Sequence, residues 1–117
     1  MREIIFYKTV NNKIPVEEFL ESLSDKQVEK ILWVLRLIKQ LDRIPAGYFK
    51  KLEGTDDIWK VRSGLGNNEF RLLGFWYKLN FIVLTNGFIK KTRKTPKPEI
   101  ELAESRKKEF LERSSNG

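Results

Sequence analysis

The sequence predicts an α+β fold in which a helical first half is followed by a β-rich second half and a final helix. Between residues 16 and 41, apolar residues recur every three or four positions, as they do on one face of a helix. From residue 48 onwards the apolar period changes to two and the segments shorten, as in strands joined by tight turns. We therefore expect an N-terminal strand and a helical hairpin packed on a four- to five-stranded, mainly antiparallel sheet, with a C-terminal helix.

The first half is predicted to contain one strand and two helices. The segment Glu3 to Lys8 is rich in Ile, Phe and Tyr, which favours a strand. Pro15 suits the first turn of a short helix, because its missing N–H is not needed there. Ser24 and Gln27 have the spacing of a capping box, so a longer helix is expected to begin there and to end near Leu41.

The second helix has a broader apolar surface than a single stripe. Trp33, Val34 and Leu37 widen it beyond its main face. Such a helix either packs on two sides or offers surface to a partner, and burial on two sides is the commoner arrangement.

The second half is predicted to contain four strands: Tyr48 to Leu52, Ile58 to Ser63, Glu69 to Tyr77 and Phe81 to Gly87. Their short links favour antiparallel neighbours. The final segment has prolines first, then glutamates, then basic residues, an order that complements a helix dipole. We expect helices on one sheet face, a free second face, a single domain over residues 1–113 and a disordered tail over residues 114–117.

The composition excludes several kinds of chemistry. The 117 residues include no Cys and no His, which rules out disulfides, zinc thiolates and histidine bases or ligands. No apolar run is long enough for a membrane span, and the N-terminus resembles a strand rather than a signal peptide. We expect a cytoplasmic protein without membrane association, metal or cofactor.

The net charge of +7 is concentrated in one part of the chain. Residues 61–98 contain 8 basic residues and 1 acidic residue, whereas residues 1–60 contain 11 and 10. Clustering of this kind indicates a polyanionic partner, with nucleic acid as the leading candidate. A cationic face paired with an acidic protein is the alternative.

The alternation within the strands predicts which side chains share a face. Lys60 and Arg62 lie on the side opposite Trp59, and Arg71 lies on the side opposite Trp76. The two tryptophans are therefore expected in the core. A lone arginine on an edge strand more often prevents edge-to-edge aggregation or forms an ion pair. Only several basic residues on one sheet face together favour a functional site.

If the two cationic faces coincide, they form a basic floor with an aromatic rim, as in an RNA-binding cleft. The expected RNA-binding residues are basic, aromatic or hydroxyl side chains on or near these strands: Lys50, Lys51, Lys60, Tyr77, Phe88, Thr92, Arg93 and Lys94.

Five segments of the chain follow one another in a recognisable order: residues 51–54, 58–62, 70–73, 87–96 and 100–103. The most specific is Gly-Phe-x-Lys-Lys-Thr-x-Lys-Thr-Pro at residues 87–96, which precedes an acidic helix start. Over roughly residues 3–110 the chain resembles the phage-derived HigB-like toxins of the RelE/ParE superfamily, which belong to type II toxin-antitoxin systems.

This resemblance implies a RelE-like fold and a ribosome-dependent endoribonuclease, an mRNA interferase that cuts translated messages and inhibits translation. It also implies a cognate helix-turn-helix (HigA-like) antitoxin, and the ribosome and mRNA, as partners. Two alternatives stay open: a ParE-like gyrase inhibitor without enzymatic activity, and a plain RNA-binding module. Other HigB relatives use histidines, which this chain lacks.

The chemistry of RNA cleavage indicates which basic residues act. RNA supplies its own nucleophile, the 2′-hydroxyl beside the scissile phosphate. A guanidinium matches phosphate oxygens in a bidentate way and stays charged, so Arg71 is the leading catalytic candidate and Arg62 its support. A lysine in a cationic cleft has its protonated form disfavoured, so Lys90 or Lys91 is expected to transfer a proton.

Phosphate orientation is assigned to Lys50 or Lys51. Glu69 is the only acidic residue between positions 61 and 98, which disfavours a metal-dependent nuclease.

Overall fold

The computed structural model describes residues 1–115 and confirms the predicted α+β fold. Its elements in chain order are β1 (Glu3–Phe6), α1 (Pro15–Glu21), α2 (Asp25–Gln40), β2 (Phe49–Lys51), β3 (Trp59–Leu65), β4 (Asn68–Tyr77), β5 (Phe81–Ile89) and α3 (Lys97–Ser115). The five strands form one sheet in the order β1-β5-β4-β3-β2. β1 runs parallel to β5 and the other neighbours are antiparallel, which is compatible with a RelE-like fold.

The helical hairpin begins as the sequence predicts. Pro15 occupies the first turn of α1. The Ser24 hydroxyl accepts a hydrogen bond from the Gln27 backbone N–H at 3.3 Å, and the Gln27 side chain accepts one from the Ser24 N–H at 2.9 Å. This capping box satisfies backbone donors that the first turn of α2 leaves without partners.

The hairpin covers one face of the sheet and encloses the main core. Its buried members come from both helices and from four strands: Val16, Leu20, Ile31, Val34, Leu35, Ile38, Phe49, Val61, Phe70, Leu72, Ile82 and Leu84. Trp59 and Trp76 pack against this core, with ring centroids 4.9 Å and 5.9 Å from that of Phe49. The expectation that both tryptophans lie in the core is confirmed.

The expected burial of α2 on two sides is wrong. Its buried residues form one stripe, whereas Leu32 is 43% exposed and Trp33 is 39% exposed. The sheet lies on only one side of the helix, so this second apolar strip faces outward.

The second face of the sheet is not free, because α3 covers part of it. Phe110 of α3 packs on Phe75 with ring centroids 5.6 Å apart. Ala103 is fully buried in a cluster with Ile58 and Leu73. Ile58, Leu73 and Phe75 are apolar and lie on the second face, so leaving that face in water would lose the free energy of their burial. Ala103 is the only buried residue of α3, which is why the sequence shows no clear apolar stripe there.

The pairing of β4 with β5 shifts at Gly74. Leu73 is paired with Asn86 and Gly74 with Leu84, so Thr85 is an extra residue on β5. A Cβ atom at position 74 would lie 2.3 Å from the carbonyl oxygen of Val83, a distance that no side chain tolerates. Glycine at this position therefore permits the close approach of the two strands.

The C-terminal boundary differs from the prediction. α3 continues through Ser115, so Ser114 and Ser115 are helical rather than part of a disordered tail. The other two residues of that predicted tail, Asn116 and Gly117, lie outside the described residues. None of the helices in residues 1–115 has the length and apolar character that a membrane crossing requires.

Candidate functional site

Two pairs of like charges lie opposite each other on the second face of the sheet. Lys50 of β2 is paired with Lys60 of β3, and Arg62 of β3 is paired with Arg71 of β4. Side chains paired in this way have Cβ atoms about 5 Å apart, and like charges placed so are destabilising. The fold therefore concentrates cationic repulsion at this end of the sheet.

A fifth cation, Lys90, follows β5. Its backbone N–H donates a hydrogen bond to the Glu69 carbonyl at 2.8 Å, which holds it beside β4. We call Lys50, Lys60, Arg62, Arg71 and Lys90 the basic cluster.

Burial and charge both act on Lys60. Burial lowers the pKa of Lys60 most, and the nearby charges of Arg71, Arg62, Lys90 and Lys50 lower it further. All four other members of the basic cluster are thus close enough to affect its ammonium.

Arg71 is the most buried member of the basic cluster, with only 2% of its surface exposed. Its guanidinium donates a hydrogen bond to the Phe70 carbonyl at 3.2 Å and lies 3.5 Å from a carboxylate oxygen of Glu69. Burial and the charge of Arg62 lower the pKa of Arg71, while Glu69 opposes this shift. An arginine stays protonated even so, hence a fixed positive charge lies in a partly desolvated position.

Glu69 holds both arginines. Its second carboxylate oxygen lies 3.7 Å from Arg62, so one carboxylate is shared between two guanidiniums. A single shared carboxylate leaves the basic cluster with a net positive charge that an anion would neutralise.

The two arginines and Glu69 open onto a cleft of about 260 Å³. Its other walls come from α2 and from the connection before β2, including Lys30 and Tyr48. Sequence reasoning missed these two residues, because nothing in a helical pattern shows which exposed lysine turns towards a distant strand. The only available signal was that Tyr48 is the first residue of the predicted strand Tyr48 to Leu52.

The structure brings together Arg71, Arg62, Lys90, Lys50 and Lys60 from the predicted site. Phe88 also belongs there, since it is paired with Arg71 across β4 and β5. It is half-buried against the cluster that contains Ile58 and Leu73.

Two predicted RNA-binding residues lie elsewhere. Tyr77 is six residues beyond Arg71 on β4 and packs on Phe110, with ring centroids 5.0 Å apart, at the end of the face that α3 covers. Lys51 pairs with Asp57 at 2.8 Å, and this partner raises the pKa of Lys51. Successive residues of a strand point to opposite faces, so Lys50 and Lys51 cannot share one role.

The remaining predicted residues, Lys91, Thr92, Arg93 and Lys94, lie in the exposed connection between β5 and α3. The Thr92 hydroxyl donates a hydrogen bond to the Lys94 carbonyl at 2.9 Å, a local contact within that connection. Within residues 1–115 no group of carboxylates is arranged to hold a metal ion.

The order of the elements and the basic cluster together define a small α+β protein, compatible with the RelE-like fold, with a cationic cleft at one end of its sheet. A family model described as phage-derived protein Gp49-like (DUF891) matches residues 18–108. The chain belongs to this family, which in general terms is RelE/HigB-like. No curated protein matches the chain.

Proposed function

We propose that the protein is the toxin of a type II toxin-antitoxin system, HigB-like in action, and cuts translated mRNA on the ribosome. The observation that carries this proposal is the basic cluster, in which two pairs of like charges lie directly opposite each other and one pair, Arg62 and Arg71, lines a cleft. Such an arrangement costs stability in the free protein and becomes favourable when a phosphate backbone enters. Membership of the Gp49-like family supports the same conclusion.

In the proposed reaction the 2′-oxygen attacks the adjacent phosphorus and the bond from phosphorus to the 5′-oxygen breaks. The products are a 2′,3′-cyclic phosphate and a 5′-hydroxyl, so one proton leaves the nucleophile and one reaches the leaving group. We assign stabilisation of the phosphoryl oxygens to Arg71, because Arg71 lines the cleft and its guanidinium is held in position by the Phe70 carbonyl and the Glu69 carboxylate. Arg62 supports it from the opposite strand.

Lys60 is the stronger candidate for accepting the 2′-hydroxyl proton. The sequence favoured Lys90 or Lys91 for proton transfer, but Lys60 is the lysine whose pKa is lowered by burial and by four neighbouring cations. Its neutral amine is therefore more populated at a given pH than that of an exposed lysine. Lys90 stays available to orient phosphate or to donate the second proton.

The proposed partners follow from this activity. They are the ribosome with its message, and a helix-turn-helix antitoxin of HigA type that neutralises the toxin. The site of action would be the cytoplasm, where translation takes place.

The proposal is tested by inducing the chain in bacteria, following growth and mapping the 5′ ends of one abundant transcript. We expect growth arrest together with new 5′ ends inside the coding region, and none in an untranslated copy of the same transcript. Growth arrest with intact messages and induction of the DNA damage response would contradict the proposal and favour gyrase inhibition. Binding of RNA without cleavage would leave only an RNA-binding module.

Lys60→Arg is expected to change the pH dependence of cleavage. Below the lowered pKa of Lys60, kcat/KM of the wild type should rise about tenfold per pH unit, as the neutral amine becomes more populated. Arginine keeps the charge but does not titrate in this range, so the variant should lose this rise and about a hundredfold or more in rate. Lys50→Arg is the matched control, and a pH profile unchanged in Lys60→Arg would exclude Lys60 as the base.

A further inference from the structure

A second groove lies beside the cleft, on the outward side of α2. It has a volume of about 530 Å³, and we call it the Trp33 groove after its aromatic wall. Its lining residues come from α2 and from the end of β3: Lys26, Glu29, Lys30, Trp33, Arg36 and Leu65.

The groove continues the cleft of the basic cluster. Lys30 lines both cavities. The ring of Trp33 meets that of Tyr48, which lines the cleft, edge to face, with centroids 5.9 Å apart and planes at 85°. The cleft and the Trp33 groove therefore adjoin at Lys30.

The charges of the groove fit the same polyanion. Lys26, Lys30 and Arg36 face a single acid, Glu29, in its lining. Within residues 1–115, none of these three cations forms an ion pair with a carboxylate within 4.0 Å. No paired carboxylate therefore offsets these charges, which favours a phosphate as their partner.

Trp33 is the only aromatic residue in residues 1–115 whose side chain is exposed. It is 39% exposed, whereas Trp59 and Trp76 pack in the main core. The Lys30 ammonium lies 4.2 Å from the centre of its ring, so one face of the indole is covered only by a long, flexible side chain. An exposed aromatic ring that only a flexible lysine covers, among cations without carboxylate partners, is the arrangement that binds the bases of single strands.

We propose that the Trp33 groove binds one unpaired nucleotide of single-stranded RNA next to the nucleotide in the cleft. The base stacks on Trp33 in place of the Lys30 ammonium, and Lys26, Lys30 and Arg36 contact the neighbouring phosphates. This inference rests on the proposed function for its choice of RNA as the ligand. It assigns α2 to substrate positioning rather than to catalysis.

The test measures binding of a fluorescent hexauridylate whose 2′-oxygens are methylated, which prevents cleavage. For Trp33→Leu we expect affinity about tenfold lower than for the wild type, because stacking of one base is lost. Trp33→Phe keeps an aromatic face and should lose less. Hexauridylates with one abasic position, moved along the strand, should reveal one position where the wild type loses affinity and Trp33→Leu does not.

Equal affinities of wild type and Trp33→Leu, in variants with wild-type thermal unfolding, would overturn the proposal. The proposal would also be overturned if the affinity lost through Trp33→Leu were the same at every abasic position. A third contrary result is an acidic peptide that displaces the labelled strand more effectively than unlabelled hexauridylate does. Cleavage of ribosome-bound message is measured in parallel. If the wild type cleaves the message and its binding does not depend on Trp33, the groove does not bind RNA and the proposed function still stands. If binding depends on Trp33 but the wild type does not cleave the message, the groove binds RNA and the proposed function is wrong.

Discussion

Arg71→Ala is expected to lower the rate of message cleavage by about a thousandfold or more. A guanidinium that stabilises a phosphoryl transition state contributes this much when it is fixed in position. Arg71 meets that condition, since it is 2% exposed and held by the Phe70 carbonyl and the Glu69 carboxylate. The single-turnover rate on ribosomes programmed with a defined message is the measurement.

The loss should come from chemistry and not from unfolding. Arg71 is fully buried, so alanine leaves a cavity and lowers stability, although the loss of repulsion from Arg62 offsets part of this cost. The thermal unfolding temperature of the variant should therefore fall, and the rate is compared at a temperature where circular dichroism shows both proteins to be folded. Lys51→Ala is the control, because Lys51 pairs with Asp57 away from the basic cluster and should keep the wild-type rate. A folded Arg71→Ala protein that cleaves as fast as the Lys51→Ala control would exclude Arg71 from the site.

Gly74→Ala is expected to lower the free energy of unfolding by about 2–3 kcal/mol. The added Cβ would lie 2.3 Å from the Val83 carbonyl oxygen, and backbone cannot move aside as the end of a side chain can. The strands would have to separate at the position where Thr85 is extra in β5. Urea denaturation followed by tryptophan fluorescence gives the measurement.

Gly47→Ala is the matched control for this substitution. A Cβ at position 47 would meet nothing within 4 Å, so its effect on stability should stay below about 0.5 kcal/mol. If both alanine variants were equally stable, the close approach of β4 and β5 at Gly74 would not be a constraint on the fold.

The sequence predicts most of the fold because the local signals agree with the tertiary structure. The capping box at Ser24 and the alternation around Arg62 and Arg71 are local features, and the structure contains both. The placement of α3 was not predictable in this way. Its contact with the sheet uses Ala103 and a few aromatic rings rather than a continuous apolar stripe, so periodicity left the second sheet face apparently free.

The same distinction applies to the candidate site: local alternation predicts some of its residues, and the others depend on tertiary packing. Lys60, Arg62 and Arg71 follow from alternation within strands, because the period of two fixes their face. Tyr77 shares that face but lies at its other end, which alternation cannot show. The contributions of Lys30 and Trp33 depend on how α2 lies over the edge of β3, and no spacing within α2 encodes that.

The central claim is that the 2′-hydroxyl of the message attacks the phosphate held by the basic cluster. The most direct test uses purified protein and ribosomes programmed with two synthetic messages that differ only in a 2′-deoxy nucleotide at the mapped cleavage position. We expect the all-ribose message to be cut, leaving a 2′,3′-cyclic phosphate and a 5′-hydroxyl, and the deoxy message to stay intact at that position. Equal cutting of both messages, or products with a 3′-hydroxyl and a 5′-phosphate, would contradict this account.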